Sequence, residues 1–146
     1  MSPSQACLNL IKRFEGCRLD AYPDPGTGGD PWTIGYGHTG PEVHKGLRIS
    51  QDIAEAYLLK DVTHFADGVR KLLNRDPAQN QFDAMVSLAY NIGLGNFGKS
   101  TVLRKFNEGD LISSAKGFML WTKAAGKELP GLVTRRAAEQ ALFQLG

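Results

Sequence analysis

Apolar residues recur at helical spacing along residues 3–15, where Cys7, Leu8, Leu10, Ile11 and Phe14 gather on one side. A stripe with a period near 3.6 residues predicts an amphipathic helix. The rhythm stops at Gly16. Residues 16–49 are rich in glycine and hold four of the seven prolines, and their run Trp32-Thr33-Ile34-Gly35-Tyr36-Gly37 is short and β-compatible. That stretch predicts a small, irregular sheet lobe of turns and short strands. Ser50 is a good N-cap, and Ile53, Tyr57, Leu58, Val62, Phe65, Val69, Leu72 and Leu73 then predict a long helix to about residue 74, broken at Asp76-Pro77. Phe82, Met85, Val86, Leu88, Ala89 and Ile92 mark another helix, with Gly93-Leu94-Gly95-Asn96 read as the loop that ends it. Shorter helical pieces are expected near 100–107, 111–121 and 132–144, punctuated by Gly109, Gly126 and Pro130-Gly131.

The expected fold class is α+β. One N-terminal helix, a β lobe at about 16–49 and an all-helical lobe at about 50–146 make a single domain over 1–146. Two unequal lobes imply a cleft, and such junctions are where ligands bind.

Composition narrows the function. A chain of 146 residues with 42% hydrophobic and 22% charged residues can bury a real core. The net charge of +2 is carried by scattered Lys and Arg, which gives nucleic-acid binding no support. No stretch of about 18 apolar residues spans a membrane. Asn9, Lys12 and Arg13 interrupt the opening stripe, so it reads as a helix and not as a signal peptide, and synthesis in the cytoplasm is expected. Cys7 and Cys17 lie ten positions apart across a helix, where the rise of about 15 Å exceeds disulfide reach, so reduced thiols are expected. His38, His44 and His64 have no metal-ligand spacing, so neither metal nor cofactor is implied.

The candidate chemistry sits where the first helix stops. Glu15 closes an apolar helical face just before Gly16, and Asp20 and Asp24 follow in a turn-rich segment. Glycoside hydrolysis needs such a set: one carboxylic acid to protonate the leaving oxygen and a second, ionised carboxylate opposite it. From spacing alone the pairing is open among Asp20, Asp24 and Asp30.

Four blocks then become recognisable in order. They are E-G-C-R-L-x-A-Y-x-D from Glu15, W-T-I-G-Y-G-H-T from Trp32, Q-F-D-A-M-V-S-L-A-Y-N-I-G-x-G-x-F-x-x-S-T-x-L-R from Gln81, and G-K-E-L-P-G-L-V-x-R-R-x-A-E from Gly126. Together they closely resemble phage-type lysozymes, the endolysins of glycoside hydrolase family 24. The resemblance implies a lysozyme-like fold and hydrolysis of the β-1,4 bond between N-acetylmuramic acid and N-acetylglucosamine, with inversion at the anomeric carbon. Glu15 matches the catalytic acid, Asp24 the second carboxylate, and Thr33 the residue that helps hold the attacking water. The Asp24-to-Thr33 gap is three residues longer than the family pattern, read as a longer Gly/Pro-rich hairpin, and Asp20 and Asp30 stay open as substitutes for Asp24.

By the same resemblance Thr39, Tyr90 and Asn91 contact sugar, His38 pairs with Asp61, and Trp121 is a packing residue. Arg135 and Arg136 lie on a helical stretch whose facing is open, and they are expected to form salt bridges at the surface, or one of them with Glu15. The implied partner is the glycan strand of peptidoglycan, with no nucleic acid and no membrane insertion. A monomer is expected to accumulate in the host cytoplasm and reach the wall once a holin opens the membrane. A lytic transglycosylase acting on the same bond, or a catalytically silent wall-binding module, are the rival readings.

Overall fold

Ser4 begins the first element, because its carbonyl accepts from the N–H groups of Cys7 and Leu8. Helix α1 (Gln5–Glu15) then runs until Gly16 takes φ 66°, a left-handed conformation that ends helices at low steric cost. The structure, a computed structural model, describes residues 1–145. Strands β1 (Arg18–Tyr22), β2 (Thr33–Gly35) and β3 (His38–Thr39) follow as one antiparallel sheet in that order. Ser50 caps the next element as its sequence position indicates, with its Oγ accepting from Ile53 N–H at 3.2 Å, and α2 (Gln51–Leu72) extends from it. Helices α3 (Gln79–Ile92), α4 (Leu94–Gly98), α5 (Thr101–Asn107), α6 (Leu111–Gly117) and α7 (Pro130–Phe143) complete the helical part. A short hairpin, β4 (Lys123–Ala124) and β5 (Lys127–Glu128), precedes α7. No helix among the described residues is long and apolar enough to cross a membrane.

The chain divides into two compact units. One is Ile11–Val62; the other is Met1–Leu10 with the described residues from Thr63 onward.

In the unit Ile11–Val62, the sheet packs one face on α2. Ile34 is fully buried, and Gly35 (φ 64°) brings its backbone so close that an added Cβ would stand 3.5 Å from Ala54 Cβ. His38, 7% exposed, stacks on Tyr57 with ring centroids 4.2 Å apart. Its Nδ1 lies 2.6 Å from Asp61 Oδ2, and its Nε2 meets Glu42. The His38–Asp61 pair anticipated in the sequence is therefore present. Lys12 Nζ reaches Glu55 Oε2 at 2.8 Å, tying α1 to α2.

In the other unit, α3 is buried from Phe82 through Ala89, so it is enclosed on all sides and not striped. Gly117 lets α6 sit directly on α5, since a Cβ there would come within 2.9 Å of the Val102 backbone nitrogen. Asp83, 1% exposed, accepts Ser4 N–H at 2.9 Å and Gln79 Nε2 at 3.0 Å, and it also takes the Ser4 hydroxyl. A buried carboxylate thus latches the start of α1.

Two expectations need correction. The Gly93-Leu94-Gly95-Asn96 segment is not a loop: Gly93 (φ 90°) breaks the chain direction and α4 restarts at once. Leu94 seats so tightly on Gly68 that a Cβ there would meet its side chain at 2.4 Å, and Asn96 Nδ2 donates to Ile92 O at 2.8 Å. The expected helix 111–121 ends at Gly117, with a 3₁₀ turn over Phe118–Leu120 and then the hairpin. Its tight turn holds Ala125 and Gly126 at φ 52° and 80°, and the alanine hid that signal. Cys7 and Cys17 are free thiols, as expected.

Two stability tests follow from these contacts. Asp83→Ala strands the Ser4 donors and should cost about 2–3 kcal/mol, lowering Tm by roughly 5–10 °C in a thermal melt. Glu55 is held below its ordinary 4.5, chiefly by the Lys12 hydrogen bond, and Glu42 likewise by His38. A lowered carboxylate stabilises the fold fully above its unfolded value and loses that contribution as pH falls through the folded one. The Tm gap between wild type and Glu55→Gln should be widest near neutral pH and close on acidification below 4.5. A gap that stays constant with pH would contradict the pairing.

Candidate active site

Antiparallel register decides which side chains share a face. Thr33 stands opposite both Tyr22 and Thr39, and Ile34 opposite His38. Directly opposed residues project to the same side of a sheet. Ile34 and His38 take the side packed on α2, so Tyr22, Thr33 and Thr39 share the other. Thr33 is half-buried there and Thr39 is exposed.

Glu15, half-buried, reaches this region from the end of α1. Gly37, in the turn from β2 to β3 with φ 81°, lies against its carboxylate, and a Cβ on Gly37 would come within 2.7 Å of Glu15 Oε1. Tyr22 feels the same carboxylate. Burial raises the Tyr22 phenol above its ordinary 10.0, the Glu15 charge raises it further, and Arg18 opposes both. The Arg18 guanidinium stacks 4.6 Å from the Tyr22 ring centroid.

Asp24 follows Tyr22 by two positions and opens the long turn before β2. Its Oδ1 accepts Gly26 N–H at 3.0 Å, its carbonyl accepts Gly28 N–H at 2.8 Å, and its own N–H donates to Gly29 O at 3.0 Å. Thr27 Oγ1 donates to Asp30 O at 2.7 Å. The turn is thus closed on itself by its own hydrogen bonds. Asp20 has another occupation: Arg48 Nη1 grips both its oxygens at 2.8 and 2.9 Å at the exposed sheet edge. Asp30 is exposed beyond the turn.

Tyr90 and Asn91 belong to the other unit, on the last turn of α3. Tyr90 is half-buried with its ring tilted on Phe65 at 5.3 Å. Asn91 is exposed, and its Oδ1 accepts from Arg136 Nη2 at 2.6 Å. With Trp121, Lys123 and Leu132 it lines a pocket of about 430 Å³. Trp121 is half-buried on that wall, and not a core residue. Arg135 and Arg136 are not surface residues: both are buried around Glu139, whose carboxyl is pushed upward by burial against the pull of Arg136, Arg135 and the Ser87 hydroxyl. Among the described residues no cluster of His, Cys, Asp and Glu is arranged to hold a metal ion.

Sequence reading singled out Glu15, Asp24, Thr33 and Thr39, all in one unit, but missed Tyr22 and Gly37 beside Glu15. It also missed the charges behind Asn91. A signal for the latter was available: Asp83, Ser87 and Asn91 recur every fourth residue within residues 82–92, where the other residues are apolar or aromatic.

A family model described as phage lysozyme matches residues 12–139. The endolysin of Bacillus phage B103 is 49% identical over 146 residues, covering 100% of this chain and 55% of the relative. The chain therefore spans about half the length of that relative. The endolysin of Salmonella phage P22 is 40% identical over 147 residues, covering 98% of each. Among solved structures, the muramidase domain of SpmX from Asticaccaulis excentricus superposes with a TM-score of 0.89 at 40% identity, covering 98% of this chain and 97% of that one.

The placement of Glu15 can be tested without activity. Replacing Glu15 by Gln removes a negative charge near Tyr22, so the phenol should titrate lower, toward 10.0 without reaching it because burial remains. Phenolate absorbance against pH reads this directly. An unmoved titration would separate the two residues.

Proposed function

Because this chain belongs to the phage lysozyme family, we propose that it is an endolysin-type muramidase that hydrolyses the β-1,4 bond between N-acetylmuramic acid and N-acetylglucosamine of peptidoglycan, with inversion. The observation that carries the reading is the meeting of Glu15, Gly37 and Tyr22 beside the sheet face that bears Thr33 and Thr39. An acid on a helix end, set against the Gly37 backbone beside that face, is placed to meet a glycosidic oxygen laid along it.

Glu15 donates its proton to the leaving oxygen as the glycosidic bond breaks. Asp24 accepts a proton from a water on the opposite face of the sugar, and Thr33 orients that water through its hydroxyl. Inversion needs about 6.5–9.5 Å between the two carboxyls to admit the water. Asp24 is favoured over Asp20 because Arg48 holds both oxygens of Asp20. It is favoured over Asp30 because it stands at the root of the turn, next to β1. The extra residues lie in a turn that bonds to itself, and Tyr22 still pairs with Thr33 across its base. Thr39, Tyr90 and Asn91 grip sugars, and no cofactor enters. The enzyme works as a monomer within a single lysozyme-like domain, made in the host cytoplasm and reaching the wall once a holin opens the membrane.

Clearing of exposed cell walls tests the chemistry. Glu15→Gln and Asp24→Asn should each lose at least about 10²-fold in initial rate. The first sugar released by wild type should be the α-anomer by proton NMR. A β-anomer, an anhydro-sugar, or a Glu15→Gln enzyme of undiminished rate would overturn the mechanism.

A further inference from the structure

We propose that Arg136 is a positioning residue: from inside the helical unit it sets the Asn91 side-chain amide with its NH₂ outward, as a donor for the acetamido carbonyl of a bound wall sugar. The inference rests on the reading of the chain as a wall-glycan hydrolase.

A carboxamide on an exposed helix end can rotate to present either oxygen or nitrogen. Here it cannot rotate freely. Arg136 Nη2 donates to Asn91 Oδ1 at 2.6 Å, and a guanidinium has donors only. Flipping the amide would set NH₂ against N–H. The orientation is therefore dictated by charge, and the nitrogen is the end left for a ligand.

Arg136 is itself immobilised. It is 0% exposed, and its Nε lies 3.0 Å from Glu139 Oε1, an ionic contact at an angle outside hydrogen-bond geometry. The other oxygen, Oε2, accepts the Ser87 hydroxyl at 2.6 Å and faces Arg135 Nε at 3.4 Å. Ser87 and Asn91 are one turn apart on α3; Arg135, Arg136 and Glu139 share one turn of α7. The two helices are cross-braced by charge where apolar side chains of the same volume would fold as well or better. A network of that cost, ending on an exposed amide, has its use at that amide. The amide opens on the pocket of about 430 Å³ walled by Ile92, Trp121, Leu129 and Leu132. Asn96 and Lys123 also line it, so the oriented Asn91 donor stands among both apolar and polar walls. Such a setting suits an acetamido group, which offers a methyl and a carbonyl together.

The test is a double-mutant cycle read in KM and kcat on solubilised, uncrosslinked glycan strands, with Tm alongside. Arg136→Lys cannot make the same planar, braced contact. It should raise KM about tenfold, equivalent to about 1.4 kcal/mol, with kcat changed less than about threefold. In the Asn91→Ala background the same substitution should change KM less than about twofold. An equal effect of Arg136→Lys in both backgrounds overturns the proposal, and so does a lowered Tm with unchanged KM. If Arg136→Lys fails to fold, Asn91→Asp decides. It keeps the Arg136 partner and replaces only the outward NH₂, so KM should rise as in Asn91→Ala without loss of Tm. Unchanged KM in Asn91→Asp overturns the proposal. An inactive wild type, or a Glu15→Gln enzyme of full rate, would instead sink the hydrolase reading.

Discussion

Strand alternation is the constraint on which residues 11–62 depend. Once Ile34 and His38 are committed to α2, their neighbours Thr33 and Thr39 must point the other way. A slip of one residue would exchange the two sets and put Ile34 and His38 where hydroxyls stand. His38 is well suited to forbid that slip. It stacks on Tyr57 and meets carboxylates at both ring nitrogens, Asp61 and Glu42, so it has one place in which all its polar atoms are met. The face that carries the proposed chemistry is thus fixed from behind by residues that take no part in it.

Glu15 arrives at this face by a different route. Its position comes from where α1 stops, and α1 stops because Gly16 turns left-handed. Two glycines act together: one ends the helix, and the other, Gly37, leaves room for the carboxylate that the helix end delivers. Gly16 has open space around it, so its role is conformational. Gly37 combines a left-handed φ with a close approach, so it is constrained twice over.

Helices were legible in the sequence because burial writes a period into them. The stripes of α1 and α2, the cap at Ser50 and the presence of α3 follow directly from residue order, while the enclosure of α3 came only with the structure. The loop expected at Gly93 and the unbroken helix expected to 121 were wrong for one reason. Tertiary packing, of Leu94 on Gly68 and of α6 on α5, sets those boundaries, and local propensity does not carry it. Among site residues, Glu15, Asp24 and Thr33 were visible through motif resemblance. Tyr22 lay inside the same motif, yet nothing in its spacing announced that it would share a field with Glu15. Arg135 and Arg136 read as salt-bridging at the surface or to Glu15, because adjacent arginines are usually solvated; Glu139, which also takes the Ser87 hydroxyl, helps make their burial tolerable, as does Asn91 for Arg136.

The two units are built on opposite principles. In Ile11–Val62 the proposed reacting groups are held by short strands and glycine turns, where little apolar surface is available and geometry comes from register. In the other unit Asn91, proposed to contact sugar, is held by a buried charge network on long helices. A proton transfer demands a carboxyl that a substrate can approach, and Glu15 stands half-buried among short turns. Orientation of a neutral acetamido group demands a donor that does not rotate, and a neutral amide can be fixed only by something stronger than itself. Burying a guanidinium behind Asn91 supplies that, which explains why the most expensive electrostatics in the helical unit lie behind an uncharged residue.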